Sequence, residues 1–216
     1  MKRIFFLGVV LISLLAASAQ QDSKAKQILD EVSKKTRSWE SLTADFIYSM
    51  ENDEMDIHEK NEGSIKMKGE KYVINLPEIG WKIFSDGETI WNYMEEANQV
   101  TISNMEEGGS ELMNPSTVFT LYEKGFRSEL KGEKTIGSTT CHQIELFPDS
   151  PDFEVIKIIL NISKPDNVLK SAWLYSTDGN LYGIEVIKMD TDNDFSDEFF
   201  VFKPHEYTDI EIIDFR

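Results

Sequence analysis

The chain has 216 residues, 28% of them charged, with 39 Asp and Glu against 22 Lys and Arg, for a formal net charge of −17. So acidic a protein is repelled by nucleic acid and by anionic lipid surfaces, which excludes both as natural partners. The single cysteine, Cys141, cannot make an internal disulfide, so the fold stands on its hydrophobic core.

Met1-Lys2-Arg3 is a short basic start, Ile4 to Leu15 is apolar, and Ala17-Ser18-Ala19 offers small residues for cleavage. The pattern predicts a cleaved secretory signal peptide over residues 1–19, too short for a comfortable membrane span. Gln20, not Cys, follows the cut, so no thiol is left there for lipid attachment. Residues 20–216 are expected to form one exported, soluble domain, because no repeat, low-complexity run or long linker divides them. Export without a disulfide framework suits a bacterial periplasmic protein.

Ser23 to Lys35 places Ile28, Leu29 and Val32 at helical spacing, with Asp22 or Ser23 to cap and Lys34, Lys35 and Arg37 at the end. The stripe is narrow, which describes a helix laid across another surface. From Leu42 the period changes to two, and Leu42, Ala44, Phe46, Tyr48 and Met50 alternate with smaller or polar residues. Residues 52–61 read as a polar loop. Strands follow at Gly63–Lys68 and Lys71–Leu76 around Gly69-Glu70, and Pro77 ends the second.

Trp81 to Ile102 then reads as a β-meander. Ser85-Asp86-Gly87 is the first turn, where Gly87 supplies a positive φ, and Glu95 to Asn98 is the second. Trp81, Ile83, Trp91, Tyr93, Val100 and Ile102 are expected on one side, as an aromatic floor for an apolar ligand. Met105 to Met113 is an acidic loop, and Asn114-Pro115-Ser116 opens a short helix through Val118, Phe119, Leu121 and Tyr122 that Gly125 stops. The remainder reads as strands at Phe126–Leu130, Lys134–Gly137, Cys141–Phe147, Val155–Ile162, Leu169–Tyr175, Gly183–Met189 and Glu198–Phe202, with a short final strand within Tyr207–Phe215. The expected class is therefore mainly β, an α+β chain whose antiparallel sheet closes, or half closes, on itself.

A catalytic centre is hard to find. His58, His142 and His205 lie in separate segments, and Cys141-His142 are neighbours in a strand and point to opposite faces. No metal motif or nucleophile elbow is present. Asp190 to Asp194 begins like a calcium loop, but Phe195 stands where the turn needs glycine and Val201 where the bidentate Glu belongs. Asn161-Ile162-Ser163 matches a glycosylation sequon. The expectation is a protein with no enzyme activity, no cofactor and no metal.

The signal peptide, the N-terminal helix leading to Ser41-Leu42-Thr43-Ala44-Asp45-Phe46, and Gly63 opening a strand together resemble the LolA family of periplasmic outer-membrane lipoprotein carriers. The likeness extends through Phe84-Ser85-Asp86-Gly87-Glu88-Thr89-Ile90-Trp91-Asn92-Tyr93, Asn98-Gln99-Val100, Asn114-Pro115, and the run from Phe200 to Pro204 before an Ile-Asp-Phe ending. It implies a half-open antiparallel β-barrel with a lid of short α-helices, holding lipoprotein acyl chains in transit from inner to outer membrane. Cargo would be acylated lipoproteins; an inner-membrane release complex and an outer-membrane acceptor would be transient partners of a monomeric carrier.

Within that fold, Ile65, Met67, Tyr72, Ile74, Trp81, Ile83, Trp91, Tyr93, Ile144 and Leu146 are assigned to the cavity wall. Ile28, Leu29, Val32, Val118, Phe119, Leu121 and Tyr122 are assigned to the inner side of the lid. Family members carry an Arg-Pro step whose Arg closes the lid. Gly69 stands at the aligned position here, between Lys68 and Glu70. A lipoprotein-sensing signalling module is the other reading the resemblance allows, although such sensors usually carry a second domain.

Overall fold

The computed structural model describes residues 22–105 and 125–216. The expected signal peptide, and the second lid piece with Val118, Phe119, Leu121 and Tyr122, lie outside the described residues. Helix α1 covers residues 22–37. It ends where the Ser38 and Trp39 amides turn back to the carbonyls of Lys35 and Thr36 at 3.0 and 3.2 Å. The Ser38 hydroxyl also donates to the Lys35 carbonyl at 2.6 Å, so one of the last open acceptors is satisfied by a side chain.

Twelve strands follow among the described residues. They are β1 Leu42–Asn52, β2 Ile57–Lys68, β3 Lys71–Leu76, β4 Trp81–Ser85, β5 Thr89–Met94, β6 Gln99–Asn104, β7 Phe126–Ile136, β8 Thr139–Pro148, β9 Val155–Ser163, β10 Leu169–Ser176, β11 Leu181–Asp190 and β12 Glu211–Asp214. They make one sheet in the order β12-β6-β5-β4-β3-β2-β1-β11-β10-β9-β8-β7. Two meanders thus meet where β1 pairs with β11, and only β12 runs parallel to its neighbour, β6. Among the described residues β7 and β12 are the two edges, so the sheet curls without closing. This is the expected half-open antiparallel barrel.

Three local readings are corrected. Residues 57–61 are strand, because β1 and β2 keep pairing out to Asn52 opposite Ile57, and a ladder needs no apolar side chains to continue into solvent. Phe126 to Ile136 is one strand, with the irregularity between Leu130 and Gly132 absorbed at Gly132, whose φ is +127°. The strand expected at Glu198–Phe202 is a 3-10 turn over Asp197–Phe200. Consecutive strand residues point apart, whereas the turn brings Phe195, Phe199 and Phe200 together with ring centroids 5.3–5.8 Å apart.

The meander at Trp81–Ile102 forms as expected, with φ of +97° at Gly87 and the Asp86 carboxylate accepting from the Glu88 and Thr89 amides at 3.0 and 2.8 Å. Its faces differ from the expectation. Four residues separate Ser85 from its partner Ile90, so Ile83 stands opposite Asn92 and Phe84 opposite Trp91. A connection of even length puts odd-numbered residues of β4 on the same side as even-numbered residues of β5. Trp91 and Tyr93 therefore share one face with Val100 and Ile102, while Trp81 and Ile83 occupy the other.

Candidate functional site

Call the face that carries α1 the inner face. Ala25, Ile28, Leu29 and Val32 of α1 pack there on Phe126, Ile144, Leu146, Val155, Ile158, Leu160 and Ile162 of β7–β9. Ile144 and Leu146 are thus the bed of the helix, completely buried. Following cross-strand partners from β8 to β4 without changing face leads to a second apolar cluster. It comprises Ala44, Phe46, Ile65, Met67, Tyr72 and Leu76, edged by half-buried Leu42, Tyr48, Ile74, Trp81, Ile83, Met105 and Val186. Six of the residues expected in the cavity wall, Ile65, Met67, Tyr72, Ile74, Trp81 and Ile83, meet in this cluster.

The floor of this region depends on a glycine inside β2 and not at its start. A Cβ on Gly63 would lie 2.6 Å from two ring atoms of Phe46 and 2.7 Å from Leu76 Cδ2. Only glycine lets the Phe46 ring lie flat across its cross-strand partner. At the far side, Trp81 Nε1 donates to Asn92 Oδ1, which orients the indole while its faces stay apolar. Burial pushes the Tyr72 phenol above its ordinary pKa, against a smaller opposing effect from its hydrogen bond with Ser85. At neutral pH this wall is uncharged.

The outer face is organised differently. Trp91 and Tyr93, expected in the cavity, pack with Val100 and Phe84 against Phe202, Tyr207 and Ile210 of the C-terminal segment. Phe202 stacks on Tyr207 at 4.8 Å and meets Phe84 edge-on at 5.5 Å. The same segment is tied down by Asp197, which accepts from Lys68 at 3.1 Å and Lys71 at 2.8 Å, while Lys68 also reaches the Phe195 carbonyl at 2.8 Å. This strap could not be read from the sequence, because its partners lie more than a hundred residues upstream.

Other candidates are structural. Cys141 is buried in the sheet and its thiol pKa is raised by that burial, while His142 is lowered chiefly by burial and faces the opposite side. Asn161 of the sequon is wholly buried and donates to Ser171 at 2.8 Å, which closes it to modification. Asp190 accepts from the Asp192 amide at 3.0 Å within a connecting loop. Among the described residues, no group of three His, Cys, Asp or Glu is arranged to hold a metal ion. Two depressions beside Pro165, of about 590 and 450 Å³, are walled by residues such as Glu133, Thr140 and Lys164 or Glu31, Lys34 and Lys35, which suits no acyl chain.

The family model for the outer membrane lipoprotein carrier protein LolA matches residues 15–164. The chain belongs to the LolA family. That is a family of binding and carrier proteins, and its matched range runs through β9 and so takes in the whole inner wall built by α1 and β1–β4. Comparison with curated proteins returns no match. Among solved structures, the chain is similar to an uncharacterized conserved protein from Thermus thermophilus (13% identity, TM-score 0.60, covering 88% of this chain and 99% of that one). It is also similar to a DUF1329 family protein from Desulfovibrio piger (10%, 0.49, 84% and 97%) and to the LolA superfamily protein NE2245 from Nitrosomonas europaea (13%, 0.45, 82% and 97%). At such identities the first is a likeness of fold alone. Gly69, at the position aligned with the family's Arg, turns the chain at φ +61°, and Lys68 beside it is engaged in the outer strap. No helix among the described residues is long and apolar enough to cross a membrane.

Proposed function

We propose that this chain is an exported periplasmic carrier that shields the acyl chains of lipoproteins on its inner face between the two membranes. The carrying observation is the half-buried apolar surface of Leu42, Tyr48, Ile74, Trp81 and Ile83 on the face of the sheet that also seats α1. Hiding one methylene from water is worth about 0.8 kcal/mol, so one long chain gains on the order of 10 kcal/mol there. A carrier must also release its load. A helix held by its own aliphatic stripe can compete with the lipid for the same apolar bed, which offsets part of that gain.

The acyl site of this reading consists of Ile65, Met67, Tyr72, Ile74, Trp81 and Ile83, with Ile28, Leu29 and Val32 as the lid and Ile144 and Leu146 beneath it. The other residues assigned to the lid, Val118, Phe119, Leu121 and Tyr122, lie outside the described residues. Trp91 and Tyr93 are left out, since they support the strap. Acylated lipoproteins are the cargo, and an inner-membrane donor and an outer-membrane acceptor are the transient partners.

The test is displacement of a hydrophobic fluorescent dye from the mature protein by an acylated peptide. Displacement by the acylated peptide and not by its unacylated form is expected, and Ile83→Gln should weaken it. Equal results with both peptides would defeat the reading.

A further inference from the structure

Along the middle of the inner face, β11, β1 and β2 bring polar side chains into apolar surroundings. Tyr48 stands opposite Ile184 on β11 and Asn61 on β2; two residues on, Met50 stands opposite Tyr182 and Glu59. Direct partners share a face, and so do alternate residues of one strand, so Tyr48, Asn61, Glu59 and Tyr182 all stand on the inner side. Leu174, the β10 partner of Tyr182, and Ile184, 40% exposed, flank them. Phe46 and Ile65 continue the apolar surface.

The hydroxyls of Tyr48 and Tyr182, both half-buried, and the carboxamide of Asn61, a residue 9% exposed, make no side-chain hydrogen bond to another described residue and are left to solvent. Burial, with the neighbouring Tyr182 and Glu59, holds the Tyr48 phenol above its ordinary pKa, so it remains a donor throughout the physiological range. Three uncommitted donors beside one carboxylate match a neutral ligand bearing carbonyl oxygens. They do not match an anion.

We propose that Tyr48, Tyr182 and Asn61 form a recognition spot for the ester and amide carbonyls that join acyl chains to a lipoprotein N-terminus, and that Glu59 turns away free fatty-acid carboxylates. The inference rests on the carrier reading and adds selectivity to it. Chain length would be read by apolar area, whereas the linkage would be read by the phenols, because a donor left unpaired against an ether oxygen is a poorer match than one paired with a carbonyl.

The experiment compares a diacylglyceryl-cysteine peptide with its dialkyl ether analogue of equal chain length, by calorimetric titration of the mature protein. The wild type should prefer the ester by about tenfold, the effect of one or two neutral hydrogen bonds. The variant Tyr48→Phe/Tyr182→Phe, checked for an unchanged cooperative melt, should bind both ligands alike at the affinity of the ether. A preference retained by the variant, or absent from the wild type, overturns the spot and leaves the carrier reading standing. Failure of the wild type to bind either ligand overturns both. Glu59→Gln, at an exposed position, should raise palmitate binding severalfold; no rise overturns the exclusion of carboxylates.

Discussion

The two faces of one sheet are both rich in large apolar residues, yet they are finished in different ways. On the outer face Phe84, Trp91 and Tyr93 meet Phe202 and Tyr207, ring against ring, and ion pairs from Lys68 and Lys71 to Asp197 fix the strap. On the inner face α1 covers β7–β9 with a small aliphatic stripe, and Trp81, Ile83 and Ile74 on β3 and β4 are half-buried among the described residues. Aromatic density alone therefore does not distinguish the two faces. On the carrier reading, the ligand surface is the apolar area that the described side chains leave half-covered.

The sharpest way to break this contrast is to damage each face separately. Phe202→Ala removes a ring that is 3% exposed and touches Phe84, Tyr93 and Tyr207. It should cost about 3–5 kcal/mol in urea unfolding, while acyl-peptide affinity of the protein that remains folded is unchanged. A large affinity loss without destabilisation would mean the outer aromatics belong to the site after all.

Two glycines provide a matched pair with a smaller effect. A Cβ on Gly63 would meet Phe46 at 2.6 Å on the inner face, and one on Gly183 would meet the Trp173 ring at 2.5 Å on the outer face. Each change to Ala should destabilise by about 1–3 kcal/mol through overpacking. Only Gly63→Ala should also alter acyl binding, because it lifts Phe46 into the floor; equal binding by both variants would remove that floor from the site.

The smallest effect concerns the strap's ion pairs. The hydrogen bonds from Lys71 and then Lys68, together with their charges, hold the Asp197 carboxyl below its usual range. A carboxylate depressed in the folded state stabilises above its unfolded pKa, and that contribution is lost as pH falls through the folded value. Asp197→Asn should therefore lower the Tm slightly at pH 7 and not at all once the solution is acid enough to protonate the native carboxyl. A Tm difference that persists in acid would point to packing and not to charge.

Much of this was legible in the sequence for identifiable reasons. The stripe Ile28, Leu29, Val32 and the alternation from Leu42 to Met50 are local patterns, and each formed the element it predicted. The inner grouping of Ile65, Ile74 and Ile83 was also recoverable, since the short turns after Lys68 and Leu76 fix the register. Parity across the Ser85–Ile90 turn was not, because a one-residue uncertainty in loop length reverses a whole strand. Nor was the strap: Phe202 meeting Tyr93 and Asp197 meeting Lys71 are long-range pairings that no periodicity encodes. The role of Gly63 was hidden for the same reason, since its partner Phe46 is on another strand.

Ile83 and Phe84 are adjacent in β4 and belong to opposite faces, which makes them the most direct test. A photo-crosslinking residue is placed at each position in turn and irradiated in cells. The account predicts capture of acylated lipoprotein from position 83 and only internal crosslinks to the strap from position 84. Lipoprotein captured equally from both, or from position 84 alone, would contradict it.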